Sequence, residues 1–166
     1  KLNNNQPVVY EEGLQVKISE SISNGCIRFT TEIKEAVENS DIIFIAVGTP
    51  EDDMGHCDLD NIYKVADDIG QYINQNKIIV VKSTIPIGTT FKIKENILTK
   101  IQKRNKNISF SIVHNPEFLK QGKAVNDFMS PDRIIIGLED DNMKNVFSGL
   151  YQPFSVNHEK LIFLDI

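Results

Sequence analysis

Short apolar runs alternate with segments of a different period, and no other feature limits the possible folds so strongly. The runs are Ile42–Val47, Ile78–Val81, Phe110–Val113, Ile134–Ile136 and Leu161–Leu164. Each is rich in Ile, Val or Phe and bounded by turn or polar residues, as strands buried on both faces are. Cys26–Thr30 is expected as a weaker strand. Between the runs, Asp58 to Asn74 places Ile62, Val65, Ala66, Ile69, Tyr72 and Ile73 at helical spacing, which buries one face. Thr89 to Lys103 does the same with Ile93, Ile97, Leu98 and Ile101. Asp58 or Asp60, and Thr89 or Thr90, are the expected N-caps. Lys100, Lys103 and Arg104 suit the negative carboxyl end of the second helix. Glu32–Asn39 and Asp141–Tyr151 read as two further helices.

Strands separated by helices need crossover connections and therefore a mostly parallel sheet. The expected architecture is α/β, a doubly wound, Rossmann-like sheet in one domain. With 166 residues, 40% hydrophobic and 25% charged, the composition excludes disorder, collagen and coiled coil. Eighteen basic residues against 23 acidic ones give a net charge of −5. Nucleic acid is therefore not an expected partner, because phosphate binding wants a basic surface. No apolar run approaches the ~20 residues of a membrane span, so no membrane partner is expected either. Cys26 and Cys57 form no close pair, so neither a disulfide framework nor a metal site is expected, and the compartment reads as reducing and cytoplasmic. The chain opens at Lys1 without a Met and stops at Ile166 in an apolar run, so a piece of a longer polypeptide is expected.

In sheets of this kind, ligands bind beyond the carboxyl ends of the strands. Gly48-Thr49-Pro50 follows the first run, Lys82-Ser83-Thr84-Ile85-Pro86-Ile87-Gly88-Thr89 the second, and His114-Asn115-Pro116-Glu117-Phe118-Leu119 the third. Glycine lets a ligand approach the backbone, and hydroxyls donate to or accept from a polar ligand. Singly, each has an ordinary explanation as a turn, a helix cap or a solvated carboxylate. Their shared position at the strand ends is what marks them as a candidate site.

The order of these segments resembles the NAD-binding domain of the UDP-glucose/GDP-mannose dehydrogenase family. The matching stretches are Leu2-Asn3, Pro7-Val8-Val9-Tyr10-Glu11-Glu12-Gly13-Leu14, Arg28-Phe29-Thr30-Thr31, Ile45-Ala46-Val47-Gly48-Thr49-Pro50, Lys82 to Gly88, Asn115-Pro116-Glu117-Phe118-Leu119 and Pro131-Asp132-Arg133-Ile134-Ile135-Ile136-Gly137. Within the family the resemblance is to its bacterial, UDP-glucose-oxidising members. It implies a two-step, NAD-dependent oxidation of a nucleotide sugar, UDP-glucose first among them, to the uronate. The family forms a thiohemiacetal and then a thioester on a cysteine, and water hydrolyses the thioester.

By the same resemblance, Val47, Gly48, Thr49, Pro50 and Glu51 lie along the cofactor, as do Ser83, Thr84, Ile85 and Gln121. Thr84 holds a water or sugar hydroxyl. Glu117 is the acid/base, and Glu117, Phe118, Leu119, Lys120 and Gln121 contact the substrate. Gln121 stands where the family usually carries Glu, which removes a charge and leaves Glu117 as the acid/base of the loop. The family's glycine-rich phosphate loop belongs before Lys1 and its catalytic cysteine after Ile166. The chain is thus expected to lack the first βαβ unit, to be inactive alone, and to belong to an enzyme that is a homo-oligomer. Cys57, beside His56, reads as noncatalytic, because sequence neighbours seldom point at each other, and His114 reads as structural. A dehydrogenase for GDP-mannose or a UDP-N-acetylhexosamine, and a noncatalytic nucleotide-binding module, are the other readings.

Overall fold

The computed structural model describes residues 1–52, 54–155 and 160–166. The chain begins with a 3-10 turn at Leu2–Asn4 and two helices, α1 (Leu14–Ser23) and α2 (Ile33–Glu38). Then β1 (Ile42–Ile45), α3 (Asp60–Tyr72), β2 (Lys77–Val81), α4 (Thr89–Lys103) and β3 (Phe110–His114) follow in alternation. The chain continues through α5 (Ala124–Met129), β4 (Ile134–Leu138), α6 (Met143–Tyr151) and β5 (Leu161–Asp165).

The strands lie in sequence order, β1-β2-β3-β4-β5, in one sheet. All neighbours are parallel except β3 and β4, which are antiparallel. That one reversal explains the layering. Crossovers between parallel strands are right-handed, so α3 and α4, which join β1, β2 and β3, fall on one face. Once the strand direction flips, the same handedness sends α6 to the opposite face. The core divides accordingly. Ile45, Ile79, Val81 and Ile112 pack with Ile62, Ala66 and Ile69 of α3 and Ile93, Ile97 and Ile101 of α4. Val80, Val113, Ile136 and Leu138 pack with Phe147 and Tyr151 of α6. Adjacent residues of β2 therefore serve different cores, which is why the run shows no polar alternation.

The sheet is mostly parallel and covered on both faces, as expected. The weak strand at Cys26–Thr30 does not form; those residues belong to no helix or strand. Helices α1 and α5 went unpredicted. α1 buries only Ile18 and α5 buries no residue, so neither writes an apolar stripe into the sequence.

The helix ends also differ from expectation. Leu59 is the N-cap of α3, and the Asp58 carboxylate accepts from the Asp60 N–H at 2.9 Å. Gly88, at φ 81°, is the N-cap of α4, while Thr89 and Thr90 are buried in its first turn. Arg104 is the C-cap of α4, its backbone N–H donating to the Ile101 carbonyl at 3.1 Å, while its side chain caps α3. Its Nη1 donates to the Gly70 and Ile73 carbonyls, both at 2.8 Å. Lys77, only 4% exposed, does similar work for α2, donating to the Glu38 and Ser40 carbonyls. These cations satisfy carbonyls that a helix end leaves without partners.

Candidate active site

The carboxyl ends of β1, β2 and β3 share one end of the sheet. There, Ser83 fastens the segment after β1 to the segment after β2. Its backbone N–H donates to the Ile45 carbonyl at 3.3 Å, and its buried hydroxyl donates to the Val47 carbonyl at 2.6 Å. Thr49 returns the tie, its hydroxyl donating to the Thr84 carbonyl at 2.9 Å. Both hydroxyl hydrogens are thus spent on shaping the site. The Thr84 side chain is exposed in it, and at Gly48 an added Cβ would meet no atom within 4 Å.

Asn115 closes the other side. β4 pairs with only the last two residues of β3 and runs on past its carboxyl end. Pro116 has no N–H to continue that ladder. The Asn115 side chain continues it instead, Nδ2–H donating to the Ile135 carbonyl at 2.9 Å. Asn115 is 1% exposed, and its Oδ1 accepts from the Tyr151 hydroxyl and from Lys82 Nζ, the latter at 3.4 Å. Burial pushes the Tyr151 phenol up to about 12, so it stays a donor. Burial pulls the Lys82 ammonium below its ordinary value, and the Glu117 charge acts against that pull. Burial also lowers His114, whose Nδ1 has no hydrogen-bond partner among the described residues.

The loop after β3 stands between two cavities. The larger, of about 1000 Å3, is lined by Val47, Gly48, Thr49, Ser83, Thr84, Glu117, Leu119, Lys120 and Gln121, with Tyr10 and Glu11 at its side. The smaller, of about 340 Å3, takes in Phe118, Asn115, Arg133 and Tyr151. Lys82, Glu117, Leu119 and Lys120 face both. The Arg133 guanidinium lies over the Phe118 ring, 4.8 Å from its centroid, a cation–π contact. Glu117 Oε2 accepts from the Leu119 N–H at 2.5 Å.

Three expected site residues lie elsewhere. Ile85 packs against the core beneath α3 and α4. Pro50 and Glu51 belong to a small hairpin, where the Pro50 carbonyl accepts from the Asp58 N–H and Glu51 bridges to Cys57. In that hairpin His56 faces Asp52, Nδ1 to Oδ2 3.4 Å, while Cys57 Sγ lies 3.9 Å from the Thr49 carbonyl. The backbone N–H of His56, and then that of Met54, hold the Asp52 carboxyl below its usual value. Cys26 is exposed. Among the described residues no cluster of His, Cys, Asp or Glu could hold a metal ion. Lys82, Asn115, Arg133 and Tyr151 received no role from the sequence. For Asn115 the signals were its place at the strand end and before Pro116, within a family-like stretch.

Residues 1–155 match the profile of the UDP-glucose/GDP-mannose dehydrogenase family, NAD binding domain. The chain belongs to this family. Among curated dehydrogenases of the family, it is 35% identical over 164 residues to the Pseudomonas aeruginosa UDP-glucose 6-dehydrogenase, covering 99% of this chain and 36% of that one. It is 39% identical over 153 residues to a Bacillus subtilis UDP-glucose 6-dehydrogenase, covering 92% and 32%. Its fold superposes on a UDP-glucose dehydrogenase from Pyrobaculum islandicum with a TM-score of 0.86 at 32% identity, covering 99% of this chain and 37% of that one. It superposes on the P. aeruginosa GDP-mannose dehydrogenase with a TM-score of 0.87 at 28% identity, covering 99% and 38%. The chain thus spans about a third of the length of the relatives it matches. The family is that of an NAD-binding domain, and the residues of the large cleft fit part of such a cofactor. The cleft has an open glycine, an exposed hydroxyl and a volume at the upper end of ordinary ligand sites. The sequence contains no Gly-x-Gly-x-x-Gly run to cradle a pyrophosphate.

Proposed function

We propose that this chain serves an NAD-dependent nucleotide-sugar dehydrogenase that oxidises UDP-glucose to UDP-glucuronate. The observation that carries this reading is the convergence of Gly48, Thr49, Thr84, Glu117, Leu119, Lys120 and Gln121 on one cleft at the strand ends, in a chain of this family. Bound NAD⁺ supplies the hydride acceptor. Val47, Gly48 and Thr49 form the wall it lies along, with Ser83, Thr84 and Gln121 beside it. The Thr84 hydroxyl holds a water or a sugar hydroxyl. Glu117 to Gln121 take the sugar side, and the Glu117 carboxylate receives a proton from the water that hydrolyses the thioester left by the second oxidation. One carboxylate oxygen holds the Leu119 N–H, and the other retains its lone pairs for that task. The intact enzyme acts as a cytoplasmic homo-oligomer, with neither nucleic acid nor membrane as partner. Among the described residues no helix is long and apolar enough to cross a membrane.

The test is NADH formation by the native polypeptide that contains this chain, offered UDP-glucose, GDP-mannose or a UDP-N-acetylhexosamine in turn. Turnover of UDP-glucose supports the proposal. Turnover of another sugar alone moves the specificity to that sugar. NADH formation with none of them overturns the enzyme reading and favours a noncatalytic nucleotide-binding module.

A further inference from the structure

We infer that Glu11 is a positioning residue that latches the substrate loop from outside it. The Glu11 carboxylate accepts from two amides of the turn that ends the loop, Gly122 N–H at 2.8 Å and Ala124 N–H at 3.0 Å. Those partners lie 111 and 113 residues away in sequence. The turn needs an acceptor from elsewhere. Ala124 opens α5, and the N-cap of that helix is Lys123, which makes no side-chain cap bond and has no acceptor to offer. Gly122 sits at φ 83°, where its N–H is held out of any helix. Bonds to an ionised acceptor are stronger than neutral ones, and here one carboxylate takes both amides. A second carboxylate, Asp127, takes the Lys120 N–H at 3.0 Å, from within α5. The loop from Glu117 to Gln121 is thus pinned at its far end by a residue of the amino-terminal segment. Glu11 also sets its neighbour Tyr10, 89% exposed, at the side of the large cleft.

This inference rests on the sugar-side role proposed for the loop, and the test separates the two. In the native polypeptide, Glu11→Gln keeps one acceptor but turns an NH2 toward the other amide. The Michaelis constant for the nucleotide sugar, which meets the whole loop, should rise about tenfold, and more in Glu11→Ala, while that for NAD, beside Gln121 alone of the loop, should rise several-fold less. Glu12→Gln, at the exposed neighbour, should change neither. Hydrogen exchange at the Gly122 and Ala124 amides should accelerate about tenfold in Glu11→Gln. An unchanged sugar constant, or sugar and NAD constants rising by the same factor as general loosening would produce, overturns the latch. If the unmodified polypeptide reduces no NAD, the functional reading fails instead, and unaltered exchange at the two amides would then overturn the latch on its own.

Discussion

Gly70 of α3 and Lys100 of α4 stand so close that a Cβ built on Gly70 would lie 2.6 Å from Lys100 Cβ. It would also lie 3.0 Å from the Ile97 carbonyl oxygen, which is backbone and cannot swing aside. The two helices form the layer beneath β1, β2 and β3, and their approach sets the platform for the cleft. Gly70→Ala should therefore destabilise. The gain in helix propensity is about 1 kcal/mol, against an overpacking cost of about 1–3 kcal/mol and more for backbone. A fall in the urea midpoint corresponding to about 1–2 kcal/mol is expected, and an unchanged or raised midpoint would contradict the close packing.

Thr84 holds Thr49 through its carbonyl, not its side chain. Thr84→Val removes the exposed hydroxyl and leaves that tie in place. Stability should stay within about 0.5 kcal/mol, as for surface changes in general. Turnover per unit of Michaelis constant should drop about tenfold or more through loss of the positioned hydroxyl. Full activity in the variant would remove Thr84 from the reaction.

Glu117→Gln keeps the side-chain oxygen that meets the Leu119 N–H but abolishes the base. In the native polypeptide, the role proposed for Glu117 predicts that hydrolysis of the proposed thioester slows about a hundredfold or more, with sugar binding little affected. Rapid quenching should then trap enzyme carrying covalent sugar. A hydrolysis rate equal to that of the unmodified enzyme would exclude Glu117 as the acid/base.

His114 offers a pH signature. Burial lowers its folded-state value below the ordinary 6.5. Above 6.5 the imidazole is neutral both folded and unfolded, so it contributes no pH dependence. Below 6.5 the unfolded chain takes up the proton first, so stability is lost as the pH falls, until the folded-state value is passed. Urea unfolding from about pH 7.5 to about pH 5.5 should show a steeper loss in the unmodified protein than in His114→Gln. Parallel curves would mean that His114 gains its proton as easily folded as unfolded.

Much of this fold was legible because its signals are local. The spacing of Ile93, Ile97 and Ile101 marks α4, and its observed span, Thr89–Lys103, is the one the periodicity delimits. The runs around Ile78, Phe110, Ile134 and Leu161 all became strands. The segments that carry Gly48, Ser83-Thr84 and Glu117 could be placed at one end of the sheet because parallel strands put their carboxyl ends together. Where local signal was thin, reading failed. Cys26–Thr30 was expected as a weaker strand, yet among the described residues no neighbour pairs with it.

By itself the sequence determined the type of the strongly periodic elements, the parallel character of most of the sheet and the segments that meet at the strand ends, all of which follow from spacing along the chain. Tertiary structure decided the rest. The reversal at β4 sends Ile79 and Val80 to different cores, and nothing in the run Ile78–Val81 distinguishes them. The Arg104 side chain reaches from the end of its own helix to the carbonyls of Gly70 and Ile73. Asn115 replaces a ladder bond, and Glu11 finds Gly122 and Ala124. Each of these pairings satisfies a backbone donor or acceptor with a side chain distant in sequence. Hydrogen-bonding capacity is written in every residue, but a partner is chosen only when the crossovers bring the segments together.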